Sequence, residues 1–207
     1  MGSATRQRWN AIEEWSPWLF VVAGVFLVVG AANSGVAYVS ESYAFDEWLG
    51  IVLELGRLAA LLGTAGLSVQ VTTENARLGT LNRAVASLGV VFVSALIAQA
   101  TLESAGLIAE SGGLVGLAAY VLSVTTFLAV GIGVLWTGAY SRLIGGLLLV
   151  NVVALLVVFF GRRFVPLGLL ATVVPGIQVL LYLSLGYELR GQTVPTRQPE
   201  PATDATP

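Results

Sequence analysis

Apolar runs about as long as a bilayer is thick follow one another along this chain, separated by short polar breaks. At ~1.5 Å of rise per residue, ~20 residues cross a hydrocarbon core of ~30 Å as a helix. Spans are predicted over residues 17–39, 47–71, 81–103, 113–137, 142–160 and 165–187. Ahead of them, residues 1–16 are polar and carry Arg6, Arg8 and the interfacial aromatics Trp9 and Trp15. Ser16-Pro17 reads as an N-cap followed by proline at the first helical position. No small-residue cleavage site follows a short apolar core, so a removable signal peptide is not predicted. Residues 188–207 are rich in Pro and Thr without apolar periodicity, which predicts a disordered tail. The expected fold class is therefore all-α, a polytopic integral membrane protein with one six-helix domain over residues 17–187.

Six spans return both termini to one side. If that side is the cytoplasm, Arg6, Arg8, Arg77, Arg83, Arg142, Arg190 and Arg197 lie inside, and Arg162 and Arg163 lie outside. That asymmetry follows the positive-inside rule and predicts cytoplasmic termini. The segments TTENARLGTLNR, TGAYSR and GRRFVP are expected as loops. Pro175 falls inside the last span, where a proline frees a carbonyl and kinks the helix.

The second span differs from the rest because a carboxylate and a guanidinium sit in its middle. Ionisable groups at such depth cost a few kcal/mol each and normally face a bundle interior or a cavity. Stepping ~100° per residue, Glu47, Gly50, Glu54, Arg57, Thr64 and Ser68 fall within roughly one third of the circumference. Gly56, Ala59 and Gly63 occupy the far side, where small residues admit another backbone. Ile51, Leu55, Leu58, Leu62 and Val69 form a bulky ridge between them. Contacts on both sides place this helix at the centre of the bundle. Glu54 and Arg57, three residues apart, share a face. They read either as a self-neutralising ion pair or as a site for a solute, ion or proton, and the first is preferred.

Other polar residues match the pair in depth. Asn33, Gln99, Tyr120 and Asn151, counted from the outer ends of their spans, form with Glu54 and Arg57 a candidate polar layer in the outer half of the bundle. Ordinary interhelical hydrogen bonding, worth ~0.6 kcal/mol per contact, would also account for them. Internal repetition is confined to RLAALLG from Arg57 and RLIGGLL from Arg142, a weak echo of an inverted repeat.

Composition narrows the chemistry. The chain has 207 residues, 56% hydrophobic and 11% charged, with a mean hydropathy of +0.84. A soluble domain carries about 25% charged residues. Cysteine and histidine are absent, which removes disulfides, thiolate nucleophiles, Cys/His zinc sites and histidine proton shuttles. No HExxH, GxSxG or Ser/Lys dyad occurs, so neither an enzyme nor a cofactor is expected. The net charge of −2 and the lack of a basic cluster argue against nucleic acid. A lysine-free, acidic composition suggests a prokaryotic cell membrane. Partners are expected to be the lipid bilayer and, through the small-residue face, a second copy or another membrane protein. The preferred reading is a non-enzymatic accessory or structural module. The alternative is a small-solute or proton transporter or channel-like module that uses the polar layer.

Overall fold

The computed structural model describes residues 3–40, 46–108, 113–161 and 163–192. Six helices follow one another: α1 (Ser3–Ser40), α2 (Asp46–Glu74), α3 (Ala76–Ser104), α4 (Leu114–Thr137), α5 (Arg142–Gly161) and α6 (Leu167–Gln192). No strand occurs among the described residues. All six helices are long and apolar enough to cross a membrane. The polypeptide is a multi-span helical membrane protein.

The distribution of side chains supports this physically. Val22, Val25, Leu88, Val91, Val121 and Leu180 lie on the outside, while Thr64, Ser68, Ser123, Thr126, Asn151 and Gln178 are buried. An apolar exterior around a polar-spotted interior is stable in lipid and not in water. Interior hydroxyls bond their own helix: Thr64 Oγ1 donates to the Ala60 carbonyl at 2.8 Å, and Ser123 Oγ to that of Ala119 at 2.7 Å.

The helices form a closed ring in chain order, with α1 returning to α6 and α2 reaching across to α4. α2 is the most enclosed, with 50% of its membrane window buried. Its small face explains the enclosure. A Cβ on Gly56 would stand 3.3 Å from the Ala23 carbonyl, and one on Gly63 would stand 3.1 Å from the Phe20 ring. Gly66 extends the row, its Cβ position 2.8 Å from the Ile12 carbonyl. Gly56, Ala59, Gly63 and Gly66 thus let the α1 and α2 backbones approach closely.

Several ends differ from the sequence reading. α1 begins at Ser3, so Pro17 lies inside a helix and Ser16 is not its cap. Ser16 Oγ instead donates to the Ile12 carbonyl at 3.0 Å. The polar start stays helical because Ile12, Glu13 and Ser16 have α2 to pack on at Gly66. α2 and α3 run on until only Asn75 separates them, and Asn75 Oδ1 caps Leu78 N–H at 3.1 Å. Arg77 and Arg83 are therefore helical. α6 continues through residues expected in the tail, because Leu189 is core and Arg190 lies 3.7 Å from the Trp18 ring centre. The rest of that tail, 193–207, lies outside the described residues. Gly138 ends α4 at φ 66°, a left-handed cap whose N–H reaches the Val134 carbonyl. The turn it begins leads directly into α5.

Contacts near the chain ends define a terminal face. Tyr140 Oη donates to Glu13 Oε1 at 3.3 Å, and Ser141 N–H to Gln192 Oε1 at 3.4 Å. Arg83 lies over Trp9, its guanidinium carbon 5.4 Å from the ring centre. The opposite side, where α1 ends and α2 begins, is the distal face.

Candidate functional site: a polar-walled cavity in the distal half

Glu54 and Arg57 stand one helical turn apart on α2, and Arg57 Nη1 meets Glu54 Oε1 at 3.0 Å. Both side chains are largely enclosed, 16% and 24% exposed respectively. Only one carboxylate oxygen is used, since Glu54 Oε2 is buried without a hydrogen-bond partner among the described residues. Hydrogen bonding of the carboxylate is therefore incomplete, and the pair leaves most of the guanidinium uncommitted.

Beside Arg57 the helices enclose a cavity of about 210 Å³. A single water needs ~15 Å³ by the same measure, so several waters or a small solute fit. α2 contributes Arg57 and Leu53, α1 Leu27 and Ser34, and α4 Tyr120 and Phe127. α5 adds Leu155 and Val158, and α6 adds Leu170, Pro175, Gln178 and Tyr182. Most fall in the distal half of the bundle, with Phe127 and Tyr182 near its middle. Toward the terminal face the space ends on aromatic rings: Tyr182 lies 6.0 Å from Phe20 and 6.3 Å from Phe127 between centres. Fully buried Leu185, Leu189, Val130 and Val134 fill the bundle beyond.

One wall is a hydrogen-bonded chain linking α5 and α6. Gln178 Nε2 donates to Asn151 Oδ1 at 2.9 Å, and Asn151 Nδ2 donates to Tyr182 Oη at 3.2 Å. Asn151 is fully buried behind the wall, holding Gln178 and Tyr182 in place. Such a connected network fixes side-chain directions that isolated polar groups would not hold. Across the cavity, the Tyr120 hydroxyl donates to the Leu155 carbonyl. Its ring stacks on Phe159, centres 5.4 Å apart.

The proposed polar layer is thus divided. Glu54, Arg57, Tyr120 and Asn151 gather at or behind the cavity. Gln99 does not join them: its Nε2 donates to Glu103 Oε1 at 2.9 Å on the same helix. α3 packs mainly on α2 and α4, so depth alone could not bring Gln99 to the cavity. Asn33 is half-buried on α1, and its neighbour Ser34 provides the cavity lining instead. The Glu47 side chain lies outside the described residues.

Gln178 and Tyr182 are cavity-lining residues that the sequence reading missed. A signal existed in Pro175, Gln178 and Tyr182, whose spacings of three and four place them on one helix face. Glutamine deep in an apolar span is itself uncommon. The echo between Arg57 and Arg142 has no structural counterpart: Arg57 lies well inside α2, whereas Arg142 is the first residue of α5.

No group of His, Cys, Asp and Glu able to hold a metal occurs among the described residues. No family model, curated protein or solved structure matches this chain.

Proposed function

We propose that this protein is a membrane-embedded binding module for a small solute, of the transport or sensing kind. The cavity beside Arg57 carries the reading, with a guanidinium and the hydrogen-bonding side chains of Ser34, Tyr120, Gln178 and Tyr182 on otherwise apolar walls. A site with few polar groups on an apolar lining is how small-molecule pockets combine affinity with orientation. An intramembrane ionisable residue facing such a space is a functional candidate by default.

The accessory-module reading has weaker support. It relied on Gly56, Ala59 and Gly63 as a surface for another chain, and that face is occupied by α1 within the same molecule.

Hydration of the cavity is the discriminating property. The chain contains no cysteine, so one introduced at Ser34 reports on the lining alone. Ser34→Cys in liposomes is expected to react with a small water-soluble methanethiosulfonate. Val130→Cys, fully buried in the packed half, is expected to react only after denaturation. A Ser34→Cys protein that stays folded and unreactive until denatured would mean a dry bundle, and would return the protein to the structural class.

A further inference from the structure

The hydrogen-bond inventory of the cavity specifies the kind of solute, granted the binding role proposed above. Arg57 engages Glu54 through Nη1, and its Nη2 and Nε bond no described residue. Tyr182 Oη accepts from Asn151, which leaves its own hydroxyl proton without a described acceptor. The Tyr120 proton is committed to the Leu155 carbonyl and Gln178 Nε2 to Asn151. What remains facing the space is a charged donor, the hydroxyls of Tyr182 and Ser34 and one N–H of Gln178, so donors prevail, with the Gln178 carbonyl oxygen as the main acceptor. Leu27, Leu53, Phe127, Leu155 and Val158 supply the rest. A solute with a carboxylate head and a short hydrocarbon body complements this lining. The planar guanidinium matches a carboxylate geometrically as an ammonium would not.

Charge balance adds a second requirement. Glu54 and Arg57 together are neutral. On the elements around them, α1 beyond Pro17, α4 and α6 as far as Tyr187 contain no charged residue. α3 has only Glu103 in this half, bonded to Gln99, and among the described side chains the other titratable groups close by are the hydroxyls of Tyr120 and Tyr182. A bound carboxylate would leave one uncompensated negative charge in a low-dielectric interior, which is strongly unfavourable. Glu54, whose second oxygen has no partner, is the group placed to remove it by taking a proton from solution. We propose that the cavity binds a small aliphatic monocarboxylate on Arg57 and Tyr182, together with one proton carried by Glu54.

The test uses the purified full chain in nanodiscs with butyrate, butyramide and butylammonium as probes, read by calorimetry and thermal unfolding. Butyrate is expected to bind and the other two are not. Between about pH 8 and pH 6, where a simple carboxylic acid is ionised in water, its affinity should rise by up to about tenfold per unit fall in pH. Glu54→Gln removes the competing charge, so it should bind butyrate more tightly than wild type and without that pH dependence. Arg57→Gln should lose binding. Butyrate should also raise the melting temperature of Glu54→Gln more than that of wild type, because the anion replaces the missing carboxylate.

Equal binding of butyramide would overturn the anion assignment. A flat pH profile in wild type would overturn the proton, and it decides the matter even if Glu54→Gln fails to fold. If none of the three probes binds while Ser34→Cys still reacts, the solute class is wrong and the binding cavity stands. If Ser34→Cys is also unreactive, both fall.

Discussion

At the scale of the residue, the informative groups are those whose partners do not fully satisfy them. Glu54 keeps one oxygen unbonded in the distal half. In the terminal half, Asn82 is fully buried with neither its Oδ1 nor its Nδ2 hydrogen-bonded among the described residues. Buried amides without partners are uncommon, and Asn82 packs tightly against Gly133, which leaves it little room to turn. Tyr140 is the opposite case, a hydroxyl held by a carboxylate. Burial pushes its ionisation up, and the charge and hydrogen bond of Glu13 push in the same direction. The folded protein therefore keeps the Tyr140 proton above pH 10.0, the ordinary value, where the unfolded chain releases it. The native state then binds more protons than the unfolded state, so stability falls as pH rises beyond that point. Tyr140→Phe is expected to cost ~1 kcal/mol near neutrality through the lost hydrogen bond. It should also flatten the decline above that pH by up to ~1.4 kcal/mol per unit. Chemical denaturation in detergent across an alkaline series measures both, and parallel slopes for the two proteins would contradict the assignment.

At the scale of the element, the contact of α1 with α2 shows how small residues decide helix position. Along α2 the tolerance for a side chain falls from the distal end to the terminal end. A Cβ on Gly50 meets nothing, one on Gly63 meets a ring that can shift, and one on Gly66 meets backbone at Ile12 and Glu13. Gly66→Ala should therefore destabilise by ~1–3 kcal/mol as the two helices are forced apart. Gly50→Ala should be neutral or stabilising by up to ~1 kcal/mol, since alanine is the better helix former. Unfolding of the two variants side by side checks the gradient, and equal effects would mean that the close approach is not maintained in lipid. The close approach also continues beyond the apolar span, which is why the polar start of α1 belongs to the bundle.

At the scale of the molecule, the two halves along the membrane normal have different roles. The terminal half is filled by a packed core and rimmed by Trp9, Trp18, Arg83 and Arg190, with Tyr140 bonded to Glu13 between them. The distal half holds the cavity. In this conformation the cavity lies nearer the distal face, so which side of the membrane that face occupies becomes a functional matter. The arginines of this rim are expected on the cytoplasmic side, whereas tryptophans mark either interface. In intact cells, Ser104→Cys at the distal end of α3 should be labelled by an impermeant reagent. Glu74→Cys at the terminal end of α2 should react only after permeabilisation. The reverse pattern would invert the membrane orientation.

What the linear order of residues determined is what depends on length and composition. Spans near the bilayer thickness fix six helices, because an unpaired backbone cannot exist in hydrocarbon. One carboxylate and one guanidinium three residues apart fix the Glu54–Arg57 pair, because helix geometry alone brings them together. The alternation of small and bulky positions on α2 marked Gly56 and Gly63 as contact sites before any neighbour was known. Tertiary structure decided everything that depends on which helices are adjacent. Depth in the membrane can be counted along a span, but the direction in which each residue faces another helix cannot. Gln99 and Asn151 were both assigned to the polar layer, yet α3 contributes nothing to the cavity lining while α5 and α6 close around it. The network from Gln178 through Asn151 to Tyr182 spans two helices, and neither helix specifies it alone. The helix ends followed the same logic: Ser16, Asn75 and Leu189 took their places from the neighbours available to pack against, which no local pattern contains.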